Sequence, residues 1–232
     1  MRSILFKYGI CCVLLLLLAV PSVFAEPVGK RSHLVLIDPA HGGTDSGVTI
    51  SSRVAEKNVT LAIALSLKKY LEAADPKIKV QMTRSADKTV SVDDRIGMVK
   101  SSKPDLLISL HANAGFGPEA SGFEIIIPGQ KKVNGNVGIP DIVKDMEKTK
   151  YTNDSVRLAQ KIQKSLEKVF PRKSRGIRQV PVPILTALYA PSICVEMGFL
   201  TNKHDKDKLL DKEGQQDIAG AIGRGIRDYF NQ

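Results

Sequence analysis

Three short runs in this chain are apolar at both odd and even positions: His33–Asp38 (HLVLID), Asp105–Leu110 (DLLISL) and Ile193–Val195 (ICV). A strand with one wet face alternates polar and apolar residues, whereas a strand without that alternation is covered on both faces. The pattern predicts an α/β fold: a single domain with a mostly parallel twisted sheet and helices on both faces. In such sheets ligands bind beyond the carboxyl ends of the strands. Each run leads to a residue able to do chemistry there, namely His41, His111 and Glu196.

The segments between these runs supply the covering helices. One is expected from near Ala55 to about Ala73, where Val59, Ile63, Leu67 and Leu71 recur every fourth residue. Glu56 lies on the face of Val59 and so looks toward the sheet, where an unpaired carboxylate is costly. Ile78–Thr83 reads as a strand ending at Arg84, Val92–Val99 as a short helix carrying Arg95, and Gly122–Ile127 as another strand. Residues 128–152 are a polar interruption with one helical stripe, Ile139, Ile142, Val143 and Met146. Asp154–Phe170 and Gly214–Phe230 carry the apolar spacing of amphipathic helices, and Ser192–Glu196 reads as a strand. There is no internal repeat and no low-complexity linker, so residues 26–232 are expected to form one domain.

The first 25 residues stand apart. Arg2 and Lys7 precede the apolar run Cys11–Val20, Pro21 breaks it, and Val23-Phe24-Ala25 suits a signal peptidase. The run is short for a bilayer span, so cleavage after Ala25 is expected, with no stable membrane insertion afterwards and a periplasmic or secreted location. Removing 25 of 232 residues leaves 207, enough for one core. Those residues hold one cysteine, Cys194, which rules out an internal disulfide and places a small core residue in an apolar run. The net charge is +10, or +8 without Arg2 and Lys7, and suits a polyanionic partner such as a cell envelope polymer. Nucleic acid is not expected, because only 5% of residues are aromatic and no nucleic-acid motif is present.

His41, Glu56 and His111 together have the composition of a hydrolytic zinc site, three protein ligands with a fourth position left for water. Such a site also needs a carboxylate that takes a proton from water and returns it to the leaving amine, and Glu196 is the candidate. Taken singly, each residue has a plainer reading. A histidine at a strand end is more commonly structural, Glu56 can be an N-terminal helix charge, and Glu196 can pair with Arg84 or Arg95. Their convergence on one end of the sheet is what favours the metal site, since the 14 residues between His41 and Glu56 follow no short motif.

Five blocks in order resemble the zinc-dependent N-acetylmuramoyl-L-alanine amidases that cleave bacterial peptidoglycan. They are LVLIDPAHGG with AEKNVTLAIALSLKKYL, TRSADKTVSVDDR, DLLISLHANA, SGFEIII and PSICVEMGFLTN, covering about residues 33–230. The resemblance implies one Zn²⁺ per chain held by His41, Glu56 and His111, a catalytic glutamate at Glu196, and peptidoglycan as substrate. It implies hydrolysis of the amide joining N-acetylmuramic acid to the L-alanine of the stem peptide. Ala40 stands where the family usually has Gly, and Val92 where Leu is common; neither removes a reacting group. Asn113 and Asp38 are candidates for positioning residues, or for plain loop hydrogen bonding. Arg84 and Arg95 are candidates for a substrate or oxyanion contact, or for structural salt bridges. Some members of the family carry an inhibitory helix between the same two elements, displaced by an activator protein. The stripe in residues 128–152 fits either that role or a solvent-facing insert. A zinc peptidase or carboxypeptidase acting on another peptide, and an idle wall-binding protein, are the competing readings.

Overall fold

The computed structural model describes residues 32–129, 139–187 and 190–231. The expected signal segment 1–25 and the side chains of Ile139, Ile142 and Val143 lie outside the described residues. In chain order the elements are β1 (His33–Pro39), a small hairpin of β2 (Thr49–Ser51) and β3 (Val54–Ala55), α1 (Glu56–Ala74), β4 (Ile78–Met82), α2 (Val92–Ser102) and β5 (Leu106–Asn113). Then come β6 (Phe123–Pro128), α3 (Ile139–Leu166), β7 (Ser174–Val180), α4 (Pro183–Thr186), β8 (Ser192–Phe199), α5 (Lys203–Leu210) and α6 (Lys212–Phe230).

Six strands form one sheet in the order β4-β1-β5-β8-β6-β7. The pairs from β4 to β8 are parallel, β6 runs antiparallel to β8, and β7 is parallel to β6. The three apolar runs are the neighbours β1, β5 and β8 at the centre. Their unbroken apolarity matches their burial, since Leu106, Leu107, Ile108 and Leu110 of β5 have no exposed surface. On one face α1, α3 and α6 bring Ile63, Leu67, Leu158, Ile162 and Ile222 into the main core. On the other, α2 and α4 bring Val99, Ile184 and Leu185 against Leu36, Leu107 and Cys194. Cys194 is 3% exposed, and burial pushes its thiol pKa up, so it is a core residue and not a reactive one.

Several elements depart from the sequence expectation. The helical stripe expected within residues 128–152 and the helix expected from Asp154 are one helix, α3, continuous from Ile139 to Leu166. Asp145–Lys150 are exposed all round, and Met146 is 68% exposed, so this turn of the stripe faces solvent. Polar helical turns of this kind are held by local pairs. Here Lys148 lies 3.4 Å from Asp145, and the Thr149 hydroxyl donates to the Asp145 carbonyl at 2.8 Å. The C-terminal end of α3 falls at Leu166 and not at Phe170. Strand β7 (SRGIRQV) is an edge strand with a largely polar sequence, and the β2–β3 hairpin and α5 likewise carry no apolar pattern.

Candidate active site

The backbone that presents His41 is held from below by two buried arginines. Arg84, 1% exposed, donates from Nε to the Pro39 carbonyl at 3.0 Å, and from Nη2 to the Ala40 and Lys57 carbonyls, both at 2.8 Å. Arg95, 6% exposed, donates to the carbonyls of Pro39 at 2.9 Å and His41 at 2.6 Å, and to the Asp38 carboxylate at 2.5 Å. Asp38 also accepts from Thr83 at 2.6 Å and Ser109 at 2.8 Å. These contacts commit both guanidinium groups to the loop and to Asp38. Among the described contacts of the two arginines none is to Glu196. The loop needs the support because His41 has φ 62°, a left-handed conformation unfavourable for a residue with a Cβ. Removing one partner of a buried ion pair strands the other. Asp38→Ala is therefore expected to lower stability by about 3–5 kcal/mol. Urea unfolding with an unchanged m-value checks this, and a wild-type midpoint would refute the supporting role.

Glu56 opens α1 and is 3% exposed. The β2–β3 hairpin returns the chain so that Val48 and Glu56 meet. The Glu56 amide donates to the Val48 carbonyl at 2.8 Å, and the Val48 amide donates to Glu56 Oε2 at 2.9 Å. Oε1 accepts from the Ala112 amide at 3.0 Å. Each carboxylate oxygen also meets an imidazole: His41 Nε2 lies 3.1 Å from Oε2, and His111 Nδ1 lies 3.1 Å from Oε1. The two rings stand edge-on, with centroids 5.3 Å apart. Burial pushes Glu56 toward protonation, but the hydrogen bonds from His111, His41 and the two amides outweigh it and hold the pKa well below the usual carboxylate range. The hydrogen bond to Glu56, with a smaller contribution from Asp45 and against some desolvation, raises His41 to about 8.

This set fits a divalent cation. One ligand atom from each of His41, Glu56 and His111 lies within 4.8 Å of the others, and a carboxylate with two imidazoles is a donor set zinc accepts. Asp45 Oδ2 lies 2.8 Å from His41 Nδ1, which leaves Nε2 facing the centre of the trio. Orientation of a ligand imidazole by a carboxylate on its far nitrogen is a recurring feature of metal sites. Gly47 closes over the same group: a Cβ there would lie 2.5 Å from Glu56 Oε2 and 2.6 Å from His41 Cδ2. Neither Asp45 nor Gly47 belongs to the candidates that the sequence offers. The only available signal was a carboxylate four residues after His41 in the same loop.

Glu196 lies on β8 directly opposite His111 in the parallel register, and opposite Glu124 of β6 in the antiparallel one. Paired positions present their side chains on the same face. Burial raises the Glu196 pKa, with Glu56 and Glu124 adding to the shift and His111 opposing it. Asn113, at the end of β5, accepts from the Ala114 amide at 2.8 Å through its side chain and from Leu200 through its carbonyl, also at 2.8 Å. It closes its own loop.

Residues 35–228 match the family described as N-acetylmuramoyl-L-alanine amidase. The chain is 32% identical over 223 residues to uncharacterized protein YqiI of Bacillus subtilis, with 95% of each chain covered. It is 27% identical over 234 residues to N-acetylmuramoyl-L-alanine amidase AmiA of Escherichia coli, covering 89% of this chain and 80% of that one. The crystal structure of N-acetylmuramoyl-L-alanine amidase from Clostridium difficile 630 aligns with a TM-score of 0.73 at 30% identity, over 88% of this chain and 99% of that one. The match reaches all six strands of the sheet and every residue of the His41, Glu56, His111 and Glu196 group, and with it this chain belongs to the N-acetylmuramoyl-L-alanine amidase family of cell wall hydrolases.

Proposed function

We propose that this protein is an exported amidase that holds one zinc ion through His41, Glu56 and His111 and releases stem peptides from peptidoglycan. The observation that carries the reading is the close trio of ligand atoms with Glu196 in register beside His111. Zinc held there supplies a Lewis acid for the amide carbonyl and makes water acidic enough to attack at neutral pH. Glu196 takes the proton of the attacking water at its carboxylate and delivers it to the alanine nitrogen as the amide bond breaks. Asp45 fixes the His41 ring, and the Arg84 and Arg95 contacts fix the backbone beneath it. Gly47, lacking a side chain, leaves room above Glu56.

Export by a signal segment at residues 1–25, and a partner acting on residues 128–152, belong to the same reading. The solvent-facing turn Asp145–Lys150 of α3 supports access for a partner, because it is exposed among the described residues. Among the described residues no helix is long and apolar enough to cross a membrane.

Digestion of purified peptidoglycan by residues 26–232, after chelation and with zinc restored, tests the proposal. Mass spectrometry should show free peptides beginning at L-alanine, absent after chelation and recovered with zinc. Cleavage within the stem, with the muramyl amide intact, would replace the reading with a peptidase. Persistence of activity in the chelated enzyme would remove the metal.

A further inference from the structure

The face of the sheet that carries Glu196 continues outward, away from the metal ligands. Glu196 is paired on one side with His111 and on the other with Glu124. Glu124 is 5% exposed, and its carboxylate is met by Arg178 of the edge strand β7, whose Nη1 lies 3.4 Å from Oε1 and 3.3 Å from Oε2. The two partners differ sharply in exposure: the Arg178 side chain is 63% exposed and that of Glu124 is 7%. Three strands therefore contribute a lateral row, an imidazole on β5, a carboxylate on β8 and a buried carboxylate on β6, and Arg178, which stands opposite Ile126 on β7, reaches diagonally to the end of that row with a solvent-facing guanidinium.

As a stabilising device this ion pair is weak, because a mostly exposed arginine is screened. Both of its bonds run from one nitrogen and are long for hydrogen bonds. What the arrangement does is aim the guanidinium. Arginine has a flexible stem, and a buried carboxylate touching Nη1 holds the planar fork close to the row of Glu196. A planar fork of N–H groups is suited to a carboxylate, which it grips in bidentate fashion. Without this cation, Glu196 and Glu124 would repel any anionic group brought alongside them.

The chemistry of the substrate places an anion at the matching distance. In a peptidoglycan stem the residue after L-alanine is a glutamate joined through its side chain, so its α-carboxyl group is left free or is amidated. From the scissile carbonyl, that carboxyl lies about two residues along the chain, roughly 7 Å when extended. From Glu196 to the strand of Glu124 is one strand spacing, about 4.8 Å, and the guanidinium lies just beyond. Resting on the amidase reading above, we propose that Arg178, aimed by Glu124, is the subsite for the free α-carboxylate of the second stem residue. The enzyme thereby distinguishes free from amidated stems.

The test compares two synthetic substrates, N-acetylmuramoyl-L-alanyl-D-isoglutamate and its isoglutamine counterpart, which differ only in that carboxyl group. Wild-type enzyme is expected to favour the acid by about tenfold or more in kcat/KM, the scale of one charge-assisted bidentate contact. Arg178→Gln should bring the ratio near one, with the loss on the acid in KM and not in kcat, and Arg178→Lys should keep part of the preference. A merely structural ion pair would affect both substrates alike and leave their ratio unchanged. A wild-type ratio near one, or a wild-type ratio in Arg178→Gln, would overturn the subsite. If wild type cleaves neither compound, the amidase reading fails for small substrates, and the subsite is decided by calorimetry with L-alanyl-D-isoglutamate and L-alanyl-D-isoglutamine. Tighter binding of the acid that disappears in Arg178→Gln supports it, and equal binding of the two rejects it.

Discussion

Glu196→Ala is expected to keep its zinc and lose about 10²- to 10⁴-fold in turnover on peptidoglycan, the usual contribution of a positioned general base. Metal is retained because Glu196 is outside the trio of His41, Glu56 and His111. Turnover falls because the neighbouring carboxylates among the described residues are already engaged: Glu124 meets Arg178, and Glu56 is bonded through both oxygens. Burial, reinforced by Glu56 and Glu124, sets the Glu196 pKa above its ordinary 4.5, which makes it a stronger base. The base is lost as pH drops through that raised value, so the acid limb of the wild-type profile should lie above 4.5 and vanish in the variant. Stem-peptide release followed by mass spectrometry, with zinc content measured on the same samples, checks both parts. A fully active Glu196→Ala enzyme would sink the assignment.

The parts of this protein legible in its sequence are those where one physical signal dominates. Unbroken apolar runs can only be doubly covered strands, and β1, β5 and β8 are the central parallel neighbours those runs predict. The fourfold spacing of Val59, Ile63, Leu67 and Leu71 likewise matches the buried face of α1. What stayed hidden was set by tertiary geometry. Strand β7 is polar and pairs on one edge only, so no pattern announces it, and Arg178 was invisible with it. The polar turns of α3 read as an interruption because local side-chain pairs, not a buried stripe, hold them helical. Within the site, His41, Glu56, His111 and Glu196 each stand at a strand end or first helical turn, which makes them candidates from sequence alone. Sheet pairing of β5 with β8 brings His111 beside Glu196, while the gap between His41 and Glu56 is closed by the β2–β3 hairpin, three- and two-residue strands too short to leave a trace. The same hairpin explains why Asp45 and Gly47 escaped notice: their roles exist only once Val48 has folded back onto Glu56.

His111→Ala is expected to lose zinc and activity together. Removing one of three protein ligands should weaken zinc by well over 100-fold, whereas Asp45→Ala, which only frees the His41 ring, should cost about 10- to 100-fold. His111 is the suitable probe because its side chain is 31% exposed, so truncation leaves little cavity, while truncating Glu56 would also strand the amides of Val48 and Ala112. Competition with a chromogenic chelator ranks the three proteins, and wild-type affinity in His111→Ala would exclude it from the ligand set. The same titrations carry a pH signature from His41. With its pKa near 8 in the metal-free protein, this ring is protonated at pH 7, and its Nε2 must give up that proton to bind a cation. Zinc binding should therefore release about one proton from His41 at pH 7, and apparent affinity should rise with pH and flatten above about 8. Calorimetry in two buffers of different ionisation enthalpy reads that proton directly. In Asp45→Ala the release should shift to lower pH, because the carboxylate that helps keep the ring protonated is the one that also aims it.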